Sequence, residues 1–84
     1  MKYRLVVTKG ASKEIKKLPK HIRSRVDAAI LRLCEDPFLG KKLEGDYVGA
    51  WTHRVWPYRI IYSIRLETVT VIILQVGHRQ GVYN

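Results

Sequence analysis

Ile22, Val26, Ala29, Ile30 and Leu33 recur at the i, i+4, i+7, i+8, i+11 spacing of a single helical face, bounded by Pro19 and by Asp36-Pro37. A stripe this continuous is stable only against a second layer, so the helix requires something flat and apolar to lie on. The sequence offers it further on, where the period changes from 3.6 to 2. Strands are expected at Tyr47–Val55, Tyr58–Arg65 and Thr68–Val76, with Pro57 near one turn and Leu66-Glu67 near the other. Connections so short join antiparallel neighbours, which gives a three-stranded meander. Upstream, Lys2–Thr8 reads as a first strand that Gly10 ends. Ala11, Ile15 and Leu18 then share one side of a short helix that Pro19 closes. The second helix runs from about Lys20 to Glu35, since the residue before Pro37 is pushed out of the helical region. Phe38–Gly45, with two glycines and the Lys41-Lys42 pair, reads as a surface connection. The expected fold is α+β in the order β-α-α-β-β-β, and 84 residues suit one domain, residues 1–84.

Charge narrows the function. Sixteen Lys+Arg against seven Asp+Glu give +9, a self-repulsion that an acidic partner relieves. The first 25 residues hold nine basic groups and one acid, Glu14. Lys9, Lys13, Lys16, Lys17 and Lys20 gather on the polar side of the first helix, either as a phosphate-backbone footprint or as a solvated face. Lys41 and Lys42 extend the same candidate RNA-binding set. No acid occurs between Tyr47 and Leu66, where Arg54 and Arg59 flank the Trp56-Pro57 turn, and Arg79 follows the last strand. Guanidinium grips phosphate bidentately and suits a pentavalent phosphorane; the alternative is a set of strand-edge arginines that discourage aggregation. Tyr47, Trp51, Trp56, Tyr58, Tyr62 and Tyr83 interleave with these cations. Most must be core in so small a domain, and Tyr83 is the best placed to meet a ligand. His78, beside Arg79, is a candidate proton-transfer group; alternation puts His53 on the face opposite Arg54, and His21 at a helix start reads as structural. Cys34 is the one cysteine, on the apolar side of the second helix. It leaves no internal disulfide, and the scattered histidines offer no Cys/His zinc site. Val69–Val76, the longest near-apolar stretch, falls far short of the ~20 residues of a membrane span, and no apolar signal core opens the chain. A cytoplasmic protein in a reducing compartment is expected.

YRIIYSI at Tyr58–Ile64, followed one strand later by GHRQGVY at Gly77–Tyr83, resembles the RelE branch of the RelE/ParE toxin superfamily. The first strand, IKKLP at Ile15–Pro19 and the Asp36-Pro37 pair fit the same pattern, so the likeness spans essentially the whole chain. It implies a helical hairpin on a twisted antiparallel sheet, neutralisation by a cognate antitoxin, and cleavage of messenger RNA in the ribosomal decoding site without metal or external cofactor. Arg59 matches the arginine of the family's YR[IL][IV]Y motif, Arg79 the arginine after Gly-His, and Tyr83 the terminal tyrosine. Arg54 matches the second of two basic positions on the preceding strand, and Thr52 occupies the first, where better-known members carry a lysine. The implied reaction is attack of a 2′-hydroxyl on its own 3′-phosphate, leaving a 2′,3′-cyclic phosphate and a free 5′-hydroxyl. A ParE-type gyrase inhibitor and a non-catalytic RNA- or ribosome-binding module are the alternatives. The first would ordinarily carry a longer helical hairpin.

Overall fold

A computed structural model describes residues 2–45 and 48–78. Strand β1 (Arg4–Val7) leads into helices α1 (Lys9–Lys16) and α2 (Lys20–Glu35), a 3-10 turn at Pro37–Leu39 and the two-residue strand β2 (Lys41–Lys42). Strands β3 (Trp51–Val55), β4 (Tyr58–Arg65) and β5 (Thr70–His78) complete it, forming one sheet in the order β1-β5-β4-β3-β2. The meander β3-β4-β5 is antiparallel, as expected, and α2 and β4 have the expected bounds.

Several local details differ from the expectation. β3 starts at Trp51 rather than Tyr47, after a turn at Val48-Gly49, and β5 continues past Val76 to His78. β1 pairs parallel to β5, so the sheet is mixed; alternation along a strand is the same whichever way its neighbour runs. Gly10 lies inside the first turn of α1 because Thr8 caps that helix, its side chain accepting from the Ala11 N–H at 3.1 Å. Lys41-Lys42 forms a strand against Thr52 and Trp51, a pairing invisible in two consecutive lysines. β5 starts at Thr70 rather than Thr68, since Leu66–Thr68 turns as a 3-10 helix and Val69 adopts a left-handed φ of 50°.

Val26 and Leu33 on α2 are fully buried against Ile60, Tyr62, Val71 and Ile73 of the sheet, and Cys34 is buried as expected. β5 carries an extra residue at Leu74, because Ile61 faces Gln75 while Tyr62 faces Ile73. Beyond Ile73, α1 takes over the outer edge of β5. Glu14 Oε1 accepts from the Val76 N–H at 2.9 Å, and the Thr8 hydroxyl donates to the Leu74 carbonyl at 3.3 Å. The one acid among the first 25 residues is thus held by the backbone of β5.

Tyr62 ties the connection after α2 to the sheet. Its buried hydroxyl donates to the Pro37 carbonyl at 2.6 Å and accepts from the Gly40 N–H at 3.2 Å, while Trp51 stacks on its ring with centroids 6.4 Å apart. Gly40 has no room for a Cβ, which would meet the Thr52 carbonyl oxygen and the Tyr62 hydroxyl. Tyr62→Phe leaves a buried donor and acceptor without their partner and should destabilise the protein by about 1–3 kcal/mol. Burial pushes the Tyr62 phenol up to about 12, against the smaller opposing effect of the Gly40 N–H. The folded chain therefore holds this proton more tightly than the unfolded chain. Tyr62's contribution is complete below pH ~10 and is lost as pH rises through 10 towards the folded value. Urea unfolding at pH 8 and pH 11 should show a stability gap between wild type and Tyr62→Phe that narrows at the higher pH.

Candidate RNA-binding site

Arg54 and Arg59 occupy directly opposed positions of the β3-β4 ladder, on the face turned away from the helices. Like charges placed opposite each other on a sheet destabilise it, and a bound anion reverses the sign of that effect. Arg54 is exposed and Arg59 half-buried. They line a hollow of about 310 Å³ with Leu39, Gly40, Lys41 and Thr52, and His53 reaches its rim. The Tyr62 hydrogen bonds to Pro37 and Gly40 hold the Leu39–Lys41 wall of this hollow in place. Thr52 is buried and its hydroxyl has no hydrogen-bond partner among the described residues. Its cross-strand neighbour is Lys41, which lines the same hollow. Alternation along β3, with β2 too short to predict from sequence, gave no sign of this.

His53 projects from the face of β3 opposite Arg54, as the alternation predicts, yet stands where the hollow meets α2. Burial, with the nearby Arg32 guanidinium, holds its pKa below the ordinary histidine value, which keeps the ring neutral at neutral pH. His78 lies on the face of the sheet opposite Arg54 and Arg59. It pairs with Tyr58 on the helix-side face, its ring edge-on to Tyr58 at 5.8 Å, because the extra residue at Leu74 reverses the alternation of β5. Gly77 sits opposite Arg59 instead. Arg79, Tyr83 and Tyr47 lie outside the described residues.

The lysines divide into two groups. Lys41 faces the hollow, and Lys42 lies 5.9 Å from the Trp51 ring centroid. Lys13, Lys16, Lys17 and Lys20 are exposed, and Lys13 and Lys16 belong to α1, which packs on β5, two strands from β3. They form a separate cationic face. Of the aromatics, Tyr62 is buried and Trp51 and Tyr58 are half-buried, whereas Trp56, in the β3-β4 turn, is 53% exposed. Among the described residues no helix is long and apolar enough to cross a membrane, and no three His, Cys, Asp or Glu side chains cluster as metal ligands.

The chain is similar in sequence and fold to known proteins. A family model described as the ParE toxin of the type II toxin–antitoxin system parDE matches residues 5–83. Toxin RelG of Mycobacterium tuberculosis is 35% identical over 85 residues, covering 99% of this chain and 98% of that protein. The toxin–antitoxin complex RelBE2 of the same organism contains a chain that superposes with a TM-score of 0.87 at 33% identity, covering 94% of this chain and 100% of that one. The archaeal RelE–RelB complex of Pyrococcus horikoshii gives a TM-score of 0.83 at 28% identity, covering 98% of this chain and 100% of its match. With likeness in sequence and in fold over nearly its whole length, the chain belongs to the RelE/ParE superfamily and is a toxin of a type II toxin–antitoxin system.

Proposed function

We propose that this toxin is a ribosome-dependent endoribonuclease that cleaves messenger RNA in the decoding site. The observation that carries the reading is the opposed Arg54–Arg59 pair at a hollow to which Lys41 adds a third cation and whose wall, among the described residues, includes no acid. A phosphodiester seated there gains charge as the 2′-hydroxyl oxygen bonds to phosphorus and the 5′-oxygen leaves. The guanidiniums stabilise the phosphorane between those two events. The proton of the 2′-hydroxyl is lost and the 5′-oxygen gains one, so the products are a 2′,3′-cyclic phosphate and a free 5′-hydroxyl. Arg79 and Tyr83 join the reading through the family motif, Arg79 as a further phosphate ligand and Tyr83 as a proton-transfer or stacking group. The lysines of α1 and Lys42 serve as outlying contacts to RNA phosphates. The ribosome imposes the in-line geometry that a hollow poor in acids and bases does not itself enforce.

An acidic antitoxin is the partner that suits a +9 chain, and relatives of this toxin are found in toxin–antitoxin complexes. The matching family model is described as a ParE toxin, so the ParE-type alternative raised by the sequence, gyrase inhibition, is the second reading. Induced expression should arrest translation and produce new transcript 5′ ends within coding sequences, with 5′-hydroxyl termini and without DNA breaks. Intact messages alongside DNA-damage signalling would assign the protein to the gyrase-inhibiting branch.

A further inference from the structure

A second hollow, of about 320 Å³, opens on the helix side of β3, lined by Arg25, Ala28, Arg32, His53, Arg54 and Trp56. It shares His53 and Arg54 with the first. Among the described residues the β2 ladder pairs with Trp51 and Thr52, and no strand pairs with the outer edge of His53–Val55. Arg25 and Arg32 lie seven residues apart on α2 and are exposed, Ala28 and Ala29 between them keep the wall low, and among the described residues no acid lines either hollow.

We propose that this second hollow is an RNA subsite, in which a nucleotide adjoining the one at Arg54 and Arg59 lays its base against Trp56 and its phosphate on Arg25 and Arg32. The proposal rests on the RNA-binding reading of the first hollow and extends it around the edge of β3. Its elements are those of single-strand recognition: an exposed indole as a sequence-tolerant stacking surface, flanked by cations at the reach of a phosphate. The low alanine wall gives a flat base access. Arg54, common to both hollows, is placed to hold the phosphate that joins the two nucleotides.

The test uses the full chain and a fluorescein-labelled seven-nucleotide RNA, 2′-O-methylated so that it resists cleavage. Arg25→Gln with Arg32→Gln should weaken binding at least tenfold at low salt. It should also reduce the log–log salt slope by roughly 0.7 per cation removed. Trp56→Leu should weaken binding about fivefold to 150-fold. RNA should quench tryptophan emission in the wild type, and the quenching should vanish in Trp56→Leu, which keeps Trp51. Thermal melts establish that each variant is folded. If Lys41→Gln weakens RNA binding while the Arg25, Arg32 and Trp56 variants do not, the second subsite is overturned and the first hollow stands. If those variants instead lose affinity only for an acidic antitoxin segment, the hollow is a protein interface and the proposal is overturned. A wild type that fails to bind the free RNA overturns the second subsite, while the first hollow is judged separately by cleavage on programmed ribosomes.

Discussion

Arg59→Ala should lower the rate of messenger RNA cleavage on programmed ribosomes about a hundredfold to a thousandfold, the usual effect of removing one charge-stabilising donor, roughly 2.7–4 kcal/mol of barrier. Arg59 is half-buried in β4, opposite exposed Arg54. Its field is less screened than that of its neighbour, so its loss should exceed that of Arg54→Ala. Folding should change little, because the side chain faces the hollow and is absent from the apolar core. Single-turnover rates with toxin in excess separate chemistry from ribosome binding. Arg79→Ala should resemble Arg59→Ala if its guanidinium reaches the same phosphate. Tyr83→Phe deletes only a hydroxyl: a large rate loss with ribosome binding intact marks proton transfer, and unchanged cleavage marks stacking. Parent-like rates in all three variants would remove the catalytic assignment and favour the binding-module alternative.

Leu33→Ala should destabilise the fold by about 2–5 kcal/mol, since it deletes a fully buried side chain from the α2 stripe and the surrounding sheet can close the void only in part. Against a total of roughly 5–15 kcal/mol for a domain, that is a large fraction. The melting temperature should fall by roughly 10 °C or more. Leu31 lies on the same helix but is 54% exposed, so Leu31→Ala should stay within about 0.5–1 kcal/mol. Paired thermal melts followed by circular dichroism check both values. Equal effects at the two positions would mean that α2 does not bury the face described.

Local chemistry was enough to define α2 and β4. Pro19 and Asp36-Pro37 bound a stripe of period 3.6, Pro57 and the end of the alternating run bound a strand, and both elements keep those limits in the fold. The opposed Arg54–Arg59 pair was legible for the same reason, because a short connection through Trp56-Pro57 leaves little choice of register. The family motif carried the chemical identity that spacing alone did not.

Other features depend on partners distant in sequence. β1 runs parallel to β5, and its own residues carry no mark of a neighbour's direction. Lys41 reaches the hollow because β2 lies beside Thr52, and that pairing is held by Tyr62, which grips Pro37 and Gly40 from 25 and 22 residues away. The extra residue at Leu74 sends His78 to the helix-side face. A period-two pattern extended through β5 misses this, since a bulge arises where the strand meets its neighbours and where Glu14 of α1 takes the Val76 N–H. The second hollow likewise exists only because packing brings the arginines of α2 to the β3-β4 turn. Periodicity and punctuation within a segment thus determined which elements form. Hydrogen bonds and burial between segments decided which face each functional side chain occupies, because those terms depend on the partner strand or helix and not on the residue's own neighbours.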